Sequence, residues 1–89
     1  MSAIKGKTSS GFEFNLDEEA FDDMEVLEWL IEMDNGDVAH LKDMLVRLLG
    51  DEQKKALYNH CRKNGRVSAK AVLREVGEIF KESGEQAKN

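Results

Sequence analysis

Apolar residues recur along this chain with two periods. In Phe12-Glu13-Phe14-Asn15-Leu16 they alternate with polar ones, which predicts a short strand or extended segment with Phe12, Phe14 and Leu16 on one face. Such a strand cannot satisfy its own backbone, so it must pair with a second short strand or with another copy of the chain. Otherwise its two Phe rings simply lid a helical core. From Asp22 the period becomes helical, with Val26, Leu27, Leu30, Ile31 and Met33 at steps of three and four and Trp29 widening the stripe. Asp34-Asn35-Gly36-Asp37 stops this helix and caps the next, Val38 to Leu49, whose stripe is Val38, Leu41, Leu45, Leu48 and Leu49.

Gly50 closes that helix and Asp51 caps a third, Glu52 to Lys63, with the narrow stripe Ala56, Leu57, His60 and Cys61. Asn64-Gly65-Arg66 is a turn, Ser68 caps a last helix, and Ser83-Gly84 ends it. Asp17 caps a helical turn of its own after the extended segment. The pattern predicts an all-α, single-domain bundle of four to five helices behind a short extended N-terminal arm. Residues 1–10 form a mobile arm, 11–83 the helical domain and 84–89 a frayed tail.

Charge changes this picture more than composition does. Glu13 to Asp37 holds eleven carboxylates and no Lys or Arg, yet it contains the only Trp, and with Phe12 at its edge it carries three of the four Phe. A solvated acidic tail has few large apolar groups, so this stretch folds with one face buried and the other strongly negative. Lys54 to Arg74 is its opposite, with seven bases (Lys54, Lys55, Arg62, Lys63, Arg66, Lys70, Arg74) and no carboxylate. Either the two halves fold against each other with solvated outer faces, or one or both meet partners of opposite sign. At 89 residues the core is modest, which leaves self-association, including head-to-tail, as a source of stability. Apolar runs are too short to span a membrane, no secretory leader is evident, and the single Cys61 points to a reducing compartment, so the expected location is cytoplasmic.

Candidate chemistry is sparse. His60 and Cys61 are neighbours on a helix and point about 100° apart, so they cannot chelate one ion together. A calcium loop opening at His60 would need carboxylates where Arg62, Asn64 and Ala71 stand. Cys61 has no base and orienting group, and reads as a small buried residue. No metal, cofactor or catalytic residue is expected, and the chain reads as a non-enzyme. The basic segment 54–74 loosely matches a helix-turn-helix, with Ser68, Lys70, Ala71 and Arg74 offered to a DNA groove. Nearby carboxylates oppose a phosphate backbone, so nucleic acid is the less favoured partner.

Four segments together resemble a family: Thr8-Ser9-Ser10-Gly11-Phe12-Glu13-Phe14; Asp22-Asp23 with its apolar, acidic helix; Leu48-Leu49-Gly50-Asp51-Glu52-Gln53-Lys54; and Gly65-Arg66-Val67 before the last helix. They are similar to small acidic proteins encoded in tail gene clusters of siphophages and prophages of Gram-positive bacteria, in the place of the tail assembly chaperone. The resemblance covers residues 8 to 80. It implies a non-enzymatic helper in the host cytoplasm that coats the helical tape measure protein, keeps it soluble and releases it as tail tube subunits polymerise. It also implies self-association and client binding through apolar helix faces and extended ends. The lining expected here is Phe12, Phe14, Leu16, Leu27, Trp29, Leu30, Leu41, Leu45 and Leu48. The basic surface Lys54 to Arg74 would be left for a further partner, or for DNA if the chain is instead a small regulator.

Overall fold

The computed structural model describes residues 3–87, and side chains through residue 84. Its architecture corrects the all-α expectation. Three helices, α1 (Met24–Asp34), α2 (Leu41–His60) and α3 (Ala69–Ala87), are joined by two small antiparallel sheets and a short 3-10 turn at Glu18–Asp22. The fold is a small mixed α/β domain. The physical reason lies at the N-terminus, where Ala3–Lys7 is a strand, β1, that pairs with Glu13–Asp17, β2.

Ile4 stands opposite Leu16, and Gly6 opposite Phe14. Ile4, Phe12, Phe14 and Leu16 are all buried, so the segment expected as a mobile arm supplies both the missing strand partner and a core residue. A side chain at residue 6 would place its Cβ 2.5 Å from the Phe14 ring. Only a glycine lets that ring lie on the neighbouring strand. Met1 and Ser2 of the expected arm, and the last two residues of the expected tail, lie outside the described residues. Because β2 pairs within the chain, the pairing requirement that motivated self-association through Phe12 to Leu16 is already met.

The hairpin is the seam of the core. β1 lies against α3 and β2 against α2, while the two helices meet little except through it. Met44, Leu45, Leu48, Leu49 and Leu57 from α2 and Val72, Val76 and Ile79 from α3 complete the buried cluster. α1 contributes only Val26 fully to it. Gln53 ties α2 to β2 by accepting from the Asn15 amide at 2.8 Å and donating to the Asn15 carbonyl at 2.6 Å.

Helix boundaries follow local chemistry. Asp17 and Asp23 accept amides of the turns they open, and Ser68 Oγ accepts from Ala71 N–H at 3.2 Å. The helix expected from Val38 begins only at Leu41, with 39–40 in a turn and Val38 exposed. Its 41–49 segment runs into the next without a loop, because Gly50 alone, at φ 81° and ψ 165°, changes the helix direction. The expected third helix stops at His60, since Arg62–Lys63 (β3) and Arg66–Val67 (β4) form a second hairpin. Its two-residue turn is Asn64-Gly65, both at positive φ, the combination favoured in tight hairpins. α3 continues to Ala87 rather than ending at Ser83-Gly84.

An L side chain is strained at the dihedrals of Gly50, so Gly50→Ala should cost about 1–3 kcal/mol and lower the thermal midpoint. An unchanged or raised midpoint would show that packing does not enforce the bend.

Candidate protein interface

Three places combine chemistry with accessibility. The first is the loop between β1 and β2. Thr8 Oγ1 donates to Glu75 Oε1 at 2.6 Å and Ser10 Oγ donates to Glu75 Oε2 at 2.8 Å. Glu75 is 1% exposed, so these hydroxyls take the place of water around a buried carboxyl. Ser9 binds Glu78 through both its amide and its hydroxyl, and these two bonds hold the Glu78 pKa below the usual carboxylate range. His60 Nε2 lies 2.9 Å from Ser10 Oγ, with its ring against Phe12.

A serine, a histidine and a glutamate within hydrogen-bonding distance invite comparison with a catalytic triad, but the order is wrong. The Ser10 proton goes to Glu75, so the hydroxyl is not poised to give it to Nε2. The carboxyl sits on the hydroxyl, not on the imidazole. This cluster fastens the hairpin loop to α3. Burial raises the Cys61 thiol pKa, as suits a core residue rather than a nucleophile. Among the described residues no cluster of metal-ligating side chains forms.

The second place is basic. Arg62, Lys63, Lys70 and Arg74 surround a cleft of about 300 Å³ with His60, Cys61 and Ser68. Lys54 instead lies over the Tyr58 ring, and Arg66 lines a neighbouring hollow. Among the described residues the acidic block's ion pairs with Arg47 and His40 involve none of the seven bases of 54–74. The two halves therefore do not neutralise each other. The connection after α2 is a hairpin with its own sheet, not the short turn of a helix-turn-helix.

The third place is α1. Asp23 caps it, and Arg47 of α2 clamps it by donating to Asp23 at 2.7 Å and Glu25 at 3.1 Å while lying over the Trp29 ring. The Arg47 bond holds the Asp23 pKa below the usual carboxylate range. Trp29 also stacks on His40, whose Nδ1 meets Glu32 at 2.8 Å. This fixes one face of α1 on α2 and leaves another bare. Met24 is 62% exposed, Leu27 46% and Ile31 51%.

At about 100° per residue these three share an arc of about 60°, and Glu25, Glu28 and Glu32 occupy the arc beside it. Leu27 and Leu30 also wall a groove of about 240 Å³ completed by Ala20, Phe21, Val26, Phe80 and Gly84. Among the described residues its one charged lining residue is Asp23. Phe21 and Phe80 meet edge to face across its other side, 6.0 Å between centroids.

Of the lining expected from sequence, Phe12, Phe14, Leu16, Leu45 and Leu48 are buried in the core and unavailable to a partner. Trp29, Leu30 and Leu41 are half-buried against it, and Leu27 alone is exposed. Met24, Ile31, Phe21 and Phe80 were not on that face. The signal for Met24 and Ile31 was the width of the α1 stripe, which exceeds what one supporting helix can cover; Phe21 and Phe80 lie on other elements and had no such signal. No protein-family model, curated protein or solved structure matches this chain.

Two outcomes test this geometry. Thr8→Val removes a donor to buried Glu75 and the acceptor of the Phe12 amide, and should cost about 1–3 kcal/mol in urea unfolding. A loss no larger than that of an exposed-site change would remove the cluster as a fastening. For His40, the Glu32 bond raises the pKa above its ordinary value. The stabilisation is therefore complete below about pH 6.5 and is lost as pH rises through the folded-state value. The imidazole should titrate in NMR above an unpartnered histidine, and Glu32→Gln should bring its midpoint down; an unmoved midpoint would rule out Glu32 as the cause.

Proposed function

We propose that this protein is a non-enzymatic helper that binds a helical client, of the kind its sequence resembles in phage tail assembly. One observation carries the reading: α1 leaves Met24, Leu27 and Ile31 in water beside an apolar groove. Covering the exposed half of each would be worth about 1 kcal/mol apiece, which gives a partner helix a reason to dock. The acidic exterior around the stripe keeps the free protein soluble.

The tape measure protein, long and helical, is the client this reading names, with tail tube assembly as the event that releases it. A cytoplasmic location in the host bacterium follows from the same reading; among the described residues no helix is long and apolar enough to cross a membrane. The alternative of a DNA-binding regulator draws on the unpaired bases around the 300 Å³ cleft. It is the weaker reading, because the hairpin after α2 replaces the turn that would present a recognition helix.

Co-expression with a tape measure fragment should raise that fragment's soluble fraction. The gain should fall with Leu27→Gln/Ile31→Gln, which alters exposed residues only. An equally insoluble fragment with and without the protein would reject the reading.

A further inference from the structure

The charges around the α1 groove specify its occupant more narrowly than the word helix does. The stripe of Met24, Leu27 and Ile31 is bordered on one side by Glu25, Glu28 and Glu32. Across the groove, the 3-10 turn that supplies Ala20 and Phe21 also carries Glu18, Glu19 and Asp22. No Lys or Arg occurs between Lys7 and Lys42. Arg47 is already committed to Asp23 and Glu25, and α3 brings Lys81 next to Phe80 in sequence. The site is thus an apolar floor between two acidic rims.

We infer that this groove takes a cationic amphipathic helix, with leucine-type residues on its floor and Lys or Arg against both rims. The proposal rests on the helper reading above and adds the chemistry of the client. A second copy of this chain does not fit. Laid antiparallel, two α1 faces would bring their glutamate rows together, and like charges facing across an interface oppose association. The basic face of another copy offers Leu73 as its exposed large apolar residue between Lys70 and Arg74, too narrow to fill the floor. An α1 of eleven residues spans about 16 Å, so the contact involves about three turns of the partner.

The test uses the full chain and a fluorescent synthetic helix of leucine and lysine patterned on one face. Two controls accompany it: a scrambled peptide of the same composition, and a leucine–glutamate peptide of the same pattern. Anisotropy should show saturable binding of the patterned cationic helix alone, weakening as salt rises. Leu27→Gln/Ile31→Gln should weaken it about tenfold or more, as for central apolar anchors, with an unchanged thermal melt. Arg62→Ala at the remote basic cleft should leave it unaltered.

Equal binding of the scrambled peptide would overturn the groove, equal binding of the glutamate peptide would overturn the charge rule, and an unaffected double variant would overturn the location. A dimer in sedimentation that the double variant dissolves would give the face to a second copy. Failure here with a solubilised tape measure fragment leaves the helper reading standing. Peptide binding without solubilisation leaves the groove and removes that client.

Discussion

A two-stranded hairpin holds this protein together. Its inner face presents Ile4, Phe14 and Leu16, and with Phe12 it fills the space between α2 and α3, which otherwise scarcely meet. Neither a lone strand nor a pair of separated amphipathic helices can bury its apolar face, so each needs the other. The buried carboxyl of Glu75 fixes the geometry by receiving the loop hydroxyls of Thr8 and Ser10. A chain of 89 residues has little spare core, and nearly all of it is committed to this seam.

The position of α1 follows from that commitment. With α2 and α3 occupied by the hairpin, α1 leans mainly on α2, tied there by the Arg47 clamp, with Val26 in the core and Trp29, Leu30 and Met33 half-buried against it. One supporting helix covers only part of a stripe as wide as the one α1 carries. The remainder faces water beside a groove that α3 borders but does not close. Exposure of Leu27 and Ile31 is thus a consequence of topology.

Charge is distributed by the same logic. The acidic block and the basic segment are not held together by ion pairs among the described residues; the ion pairs of Arg47 and His40 lie along the α1–α2 seam. One surface is left negative around an apolar floor and another positive around a cleft. Exposed charges on this pattern set encounter and partner choice more than they set stability.

Much of this was legible in the residues, because local chemistry decides it. The alternation in Phe12 to Leu16 marked a strand or extended segment with one apolar face, Asp17 and Ser68 marked helix starts, and the segregation of charge is written in the chain. Asn64-Gly65 also encoded its hairpin, though the flanking bases hide the strands from hydrophobic periodicity. The partner of the strand was not legible. Ala3 to Lys7 has one large apolar residue, Ile4, and becomes a strand only because β2 lies beside it. Nor could the sequence say which apolar residues are spare. Leu27 and Leu45 sit in similar helical stripes, and one is exposed while the other is fully buried. The sequence determined which faces are apolar and which are charged; only the tertiary structure decided which apolar faces found a neighbour, because burial depends on what the rest of the chain brings within reach.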